Sequence, residues 1–109
     1  MSYSVFPTRR FEKELKRLVK KYPSLKNDFA QLITDLRENP VLGTFIGNSC
    51  HKIRLAIGSK GKGKSAGARV ITYLYIDTQT IYLLAIYDKS EKTDLKPNDL
   101  KEMIQSLEL

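Results

Sequence analysis

Across residues 9–22 the apolar side chains Phe11, Leu15, Leu18, Val19 and Tyr22 recur at helical spacing, with Glu12, Lys13, Lys16, Arg17 and Lys20 on the remaining positions. A stripe of this period predicts an amphipathic helix. Pro23 stops it and Ser24 is a candidate cap. Phe29, Leu32, Ile33 and Leu36 then mark a second helix that ends at Asn39-Pro40. After that the period becomes two. In residues 51–57, Ile53, Leu55 and Ile57 alternate with Lys52, Arg54 and Ala56, the pattern of a strand with one solvated face. Residues 70–76 and 80–87 are β-branched and aromatic runs separated by Asp77-Thr78-Gln79, which predicts an antiparallel meander. Residues 3–6 predict a short first strand. Pro97 suits the first turn of a last helix whose stripe is Leu100, Met103, Ile104 and Leu107. The order predicts an α+β domain, with two N-terminal helices and a C-terminal helix packed on one face of a twisted antiparallel sheet.

At 109 residues the chain is read as a single domain spanning 1–109, which excludes a multidomain enzyme. Its longest apolar run, residues 81–87, is far shorter than the ~20 residues of a spanning helix, and the opening MSYSVFPTRR has no apolar secretion core. A cytoplasmic location is therefore expected. One cysteine, Cys50, forms no internal disulfide, and one histidine, His51, makes no zinc cluster with it; no metal and no cofactor are expected. Lys and Arg outnumber Asp and Glu by 19 to 12, for a net charge of +7, which points to a polyanionic partner. The excess is concentrated. No acidic residue lies between Glu38 and Asp77, while Lys52, Arg54, Lys60, Lys62, Lys64 and Arg69 all do.

Within that stretch, residues 58–65 match the phosphate-loop pattern G-x-x-x-x-G-K-[ST], and Tyr73-Leu74-Tyr75-Ile76-Asp77 imitates an apolar run ending in a magnesium-binding aspartate. A phosphate loop works by aiming a following helix at the phosphates, and here strand-forming residues follow, so nucleotide hydrolysis is set aside. What remains is a glycine- and lysine-rich hairpin connection suited to an RNA backbone, or else to keeping a sheet edge soluble. Lys52 and Arg54 stand two apart on one strand and share a face, with Arg69 opening the next strand beside them. Three like charges there suit a bound anion, although they could also splay into water. His51 is out of register with them and reads as structural or partner-facing. Tyr73, Tyr75, Tyr82 and Tyr87 read mainly as half-buried sheet residues, Tyr87 standing apart because it ends a strand just before Asp88-Lys89-Ser90-Glu91-Lys92. Cys50 lacks the partners of a thiol nucleophile.

Taken together, Asn39-Pro40 with Leu42-Gly43, then His51-Lys52-Ile53-Arg54-Leu55, the run from Lys60 to Lys64 leading to Gly67-Ala68-Arg69-Val70-Ile71-Thr72-Tyr73, and Leu83-Leu84-Ala85-Ile86-Tyr87-Asp88-Lys89-Ser90-Glu91 before Asp94-Leu95 resemble RelE-superfamily toxins of toxin–antitoxin modules, closest to the HigB-type branch. The resemblance covers most of the chain. It implies a RelE-like microbial ribonuclease fold and ribosome-dependent, metal-free cleavage of mRNA through the 2′-hydroxyl, which inhibits translation. It also implies neutralisation by a cognate antitoxin of helix-turn-helix type, with the ribosome and mRNA as the other partners and no membrane or nucleotide cofactor. On this resemblance Lys52, Arg54 and Arg69 contact or polarise the scissile phosphate. Ser90 stands where RelE has a catalytic arginine and Lys96 where it has a catalytic tyrosine, so Tyr87 and Lys89 enter the catalytic set instead. Lys60, Lys62, Lys64 and Lys92 are the RNA-binding set. A ParE-like inhibitor of DNA gyrase, or a noncatalytic RNA- or ribosome-binding protein, would share the fold without this chemistry.

Overall fold

The computed structural model describes residues 2–58, 66–91 and 95–107. Strand β1 (Ser4–Pro7) leads into helices α1 (Arg9–Lys21) and α2 (Leu25–Glu38). Strands β2 (Thr44–Gly47), β3 (Cys50–Leu55), β4 (Ala68–Tyr75) and β5 (Thr80–Asp88) follow, and helix α3 (Pro97–Gln105) comes last. Thr8 caps α1, its hydroxyl accepting from Phe11 N–H at 3.3 Å and donating to the Leu83 carbonyl at 2.8 Å. The same residue thus starts the helix and fastens it to β5. Ser24 stands at the N-cap of α2 but makes no side-chain cap bond; its hydroxyl binds Asp28 instead.

The sheet order is β1-β5-β4-β3-β2. The β3-β4-β5 meander is antiparallel as expected, whereas β1 runs parallel to β5, so the sheet is mixed. Parallel pairing needs a long connection, and everything from α1 to β4 lies between these two strands. Strand β2 escaped the pattern reading because four residues bounded by Gly43 and Gly47 are too few to display an alternation.

Phe11, Leu18, Leu25, Leu32 and Leu36 from the first two helices pack with Ile53, Val70, Ile81, Leu83 and Ile86 on one face of the sheet. The expectation of all helices on one face fails for α3. Its Leu100 and Met103 join Cys50, Ile71, Leu84, Ala85 and Tyr87 in a second cluster. The physical reason is that β4 and β5 are apolar on both sides, and α1 and α2 cover only one of them.

A bulge decides which residues face which way. Ile71 pairs with Ala85 but Thr72 pairs with Leu83, leaving Leu84 as an extra residue on β5. Before it, Ile81 and Leu83 face the first cluster; after it, Ile86 does, while Ala85 and Tyr87 face the second. The alternation has slipped by one.

Candidate nucleic-acid interface

Both edge strands are short. β1 pairs with β5 only over Thr80–Leu83, and β2 pairs with β3 only as far as Lys52. The end of the sheet built from Leu55, Ala68 and Asp88 is therefore three strands wide. At this end the register sets Arg54 opposite Arg69, and Arg69 opposite Tyr87. Directly paired residues share a face, so the three side chains form a rank across three strands, on the face opposite α1 and α2. Lys52 follows two residues from Arg54 on the same face, opposite Ile71. Four of the five expected catalytic residues are thus brought together. Lys89 lies just past the rank, its backbone N–H donating to the Gly67 carbonyl at 3.1 Å. Lys60, Lys62, Lys64 and Lys92 lie outside the described residues.

Burial within the rank is uneven. Arg54 is exposed and Lys52 half-buried, whereas Arg69 is 5% exposed and Tyr87 6% exposed. Arg69 is more enclosed than a solvated strand face leads one to expect, and its guanidinium donates to the Ala68 carbonyl at 3.2 Å. A buried arginine held in place presents charge at a fixed position and with a reduced hydration shell, which is what an anion of fixed geometry requires. Tyr87 packs in the second core cluster, so its ring is a wall of the rank more than a free stacking surface.

The tip of the α1–α2 hairpin holds both strand exits that border the rank. On one side Asp88, fully buried, accepts from the Tyr22 hydroxyl at 2.7 Å and from the Ser90 N–H and hydroxyl at 3.0 and 2.8 Å. On the other, Asp28 accepts from the Gly58 N–H at 3.1 Å and the Ser24 hydroxyl at 3.3 Å. Ser90, at the position the resemblance assigns to a catalytic arginine, is thus occupied in fixing the turn after β5. Lys96 is the exposed N-cap residue of α3. Glu91 receives Arg17 at 2.7 Å and Lys21 at 3.2 Å, and the Arg17 hydrogen bond holds its carboxyl below the usual range. Gly67 belongs to the same construction: a Cβ there would collide with the Leu55 carbonyl.

His51 is buried and stacks edge-on against Phe45 of β2 with centroids 5.5 Å apart, in line with a structural or partner-facing role and away from Lys52. Burial pushes the Cys50 thiol up to about 11, which leaves it protonated and unreactive at neutral pH. Of the phosphate-loop pattern, residues 59–65 lie outside the described residues; β4 begins at Ala68, so among the described residues no α-helix follows the pattern, and Asp77 sits in the turn before β5, at the far end of the sheet. Among the described residues no group of three or more His, Cys, Asp and Glu side chains is placed to hold a metal, and no helix is long and apolar enough to cross a membrane.

Sequence reading missed Arg9, Arg10, Asp28 and Asp88 as residues of this region. A visible signal existed for two of them: Arg9-Arg10 fall in the first turn of a helix, where the dipole disfavours cations. An aspartate closing an apolar strand marked Asp88 less clearly.

No protein-family model matches the chain. Solved structures do. An arginine-substituted mutant of the E. coli toxin RelE in the free state superposes with a TM-score of 0.67 at 15% identity, covering 98% of this chain and 99% of that one. The RelBE2 toxin–antitoxin complex from Mycobacterium tuberculosis gives 0.62 at 16% identity over 81% of this chain and 99% of its own matched chain. The intact E. coli RelBE complex gives 0.62 at 17% over 80% and 96%. With its three helices, its five-stranded mixed sheet and this likeness over nearly its whole length, the chain has a RelE-like fold.

Proposed function

We propose that residues 1–109 form one toxin domain of a toxin–antitoxin module, a cytoplasmic ribosome-dependent mRNA endonuclease of the RelE superfamily, HigB-type, held inactive by a cognate antitoxin of helix-turn-helix type. The observation that carries this reading is the Arg54–Arg69–Tyr87 rank, two guanidiniums and a phenol set side by side by strand register. The reaction is transesterification. A ribose 2′-oxygen attacks the adjacent phosphorus, the bond from phosphorus to the 5′-oxygen breaks, and the products are a 2′,3′-cyclic phosphate and a 5′-hydroxyl. Negative charge grows on the phosphoryl oxygens on the way, and preorganised cations there lower the barrier by about 3–4 kcal/mol for each well-placed donor. Arg69 and Arg54 take that role; Lys52, as the neutral amine, accepts the 2′-hydroxyl proton, the Tyr87 hydroxyl gives a proton to the leaving 5′-oxygen, and Lys89 borders that oxygen. No histidine or glutamate joins the rank, so substrate orientation is left to the ribosome, and cleavage of free RNA is weak.

The test is induction of the chain alone, followed by labelled amino-acid and thymidine incorporation and by mapping of mRNA ends on ribosomes. Amino-acid incorporation stops first, and Arg69→Lys lowers cleavage by about 10-fold or more through loss of the planar fork. Arg69→Ala abolishes cleavage and, because the residue is buried, also lowers stability, by about 1–3 kcal/mol. Earlier arrest of thymidine incorporation, with protein synthesis continuing, would replace this reading with gyrase inhibition. A growing culture with intact mRNA would leave only binding.

A further inference from the structure

We infer that α1 carries a second RNA-backbone contact, separate from the cleavage rank and adjoining it over the open edge of β5. The inference rests on the ribonuclease reading and concerns how the RNA-bearing partner is held. Beyond Leu83 no strand of the described residues pairs with β5 on the side away from β4, and Arg9, Arg10, Lys13 and Arg17 of α1 line a hollow of about 670 Å³ together with Tyr87 and Leu95. Tyr87 belongs both to this hollow and to the rank, which makes the two surfaces continuous.

Part of the charge in the hollow is used by the fold, since Arg17 is bound to Glu14 and Glu91. Among the described residues no carboxylate lies within ion-pair distance of Arg9, Arg10 or Lys13, all three of which are exposed. Arg9 and Lys13 stand four apart on one helix, a like-charge spacing that disfavours the helix, and both arginines oppose the dipole of the first turn. An arrangement unfavourable to the isolated helix becomes favourable when an external polyanion neutralises it. Glu14, the one carboxylate of the lining, is engaged by Arg17. Cations on successive helical turns match the repeated, evenly charged sugar-phosphate chain.

The experiment measures affinity of the full chain for ribosomes carrying an mRNA with 2′-deoxyribose at the cleavage position, across a salt series, beside cleavage kinetics on ordinary mRNA. The variants are Arg9→Gln/Arg10→Gln/Lys13→Gln and the milder Lys13→Gln, with melting curves to show that each is folded. In the triple variant the slope of log affinity against log salt becomes shallower by about two, as three lost phosphate contacts require, and KM rises at least 10-fold while kcat holds; Lys13→Gln alone moves the slope by somewhat less than one. Unchanged slopes overturn the inference. So does a triple variant that keeps the ribosome slope yet loses binding of a glutamate-rich extended peptide, which would make the hollow a protein-docking edge. If the unmodified chain cleaves no mRNA, the ribonuclease reading falls by itself, and the binding arm still decides whether α1 meets RNA.

Discussion

The two sides of the narrow sheet end share a construction and differ in charge. On one, β5 outruns β1 and is flanked by α1; on the other, β3 outruns β2 and is flanked by α2, around a hollow of about 680 Å³. The α1 wall offers Arg9, Arg10 and Lys13 without ion-pair partners among the described residues, whereas the α2 wall offers Asp28, Gln31 and Asp35. These acidic-side residues are spoken for. Asp28 binds the Gly58 N–H and Ser24, and Gln31 donates to Asp35 at 3.0 Å. Charge at a surface therefore has two uses here, one that closes the fold on itself and one left open to something outside, and counting charges does not tell them apart. Hydrogen-bond partners do.

The largest effect on this comparison is expected from removing the shared end on which both sides depend. In Gly67→Ala the new methyl meets the Leu55 backbone, which can yield only if β4 moves off β3. We expect a loss of about 2–4 kcal/mol, a lower melting temperature and loss of activity together. Melting within 2 °C of the unmodified chain would show the strands free to adjust.

A smaller and more discriminating effect separates the walls. Asp28→Ala leaves the Gly58 N–H without its acceptor and should cost about 1–2 kcal/mol, read by urea denaturation. Arg10→Ala, exposed and without an ion-pair partner among the described residues, should stay within about 0.5 kcal/mol. Equal costs at the two positions would abolish the distinction drawn between them.

The smallest effect is electrostatic. The carboxyl of Glu91 is held below its ordinary value chiefly by Arg17, so its contribution is present above the carboxylate range and is lost as pH falls through the lowered value. The pair is exposed, and solvent screening keeps this below about 1 kcal/mol. Comparing Glu91→Gln with the unmodified chain, the difference in melting temperature at pH 7 should shrink as pH falls below the ordinary carboxylate range. A difference that persists at low pH would assign Glu91 a role other than its charge.

Much of this was written in the residue pattern, and the omissions have physical causes. The helical stripes fixed α1 and α2 to within a residue because each carries three or more turns of one-sided burial. The pairing of Lys52 and Arg54 on one face needed only the two-residue period, and it holds. The side taken by α3 was not legible, since a strand apolar on both faces does not say which helix covers which. The burial of Arg69 was hidden because its neighbour across the strands, Tyr87 of β5, lies in the cluster that α3 covers, whereas Arg54 beside it was expected. The α1 surface was passed over because lysines and arginines between apolar positions look like an ordinary wet face.

The extra residue at Leu84 sets a phase for everything after it. Continued without interruption, the alternation of β5 would put Tyr87 beneath the helical hairpin with Ile81 and Leu83, and would expose Asp88 on the basic face among the arginines. A single slipped step instead delivers a phenol to the cations and a carboxylate to Tyr22. A homologous chain in which β5 ran straight, with no residue removed, would shift each later partner on β4 by one, so the phenol and the carboxylate would each have to stand one position earlier, at 86 and 87, to meet Arg69 and Ala68. Position-by-position comparison would score that as two losses, although in three dimensions both groups would lie where they do here.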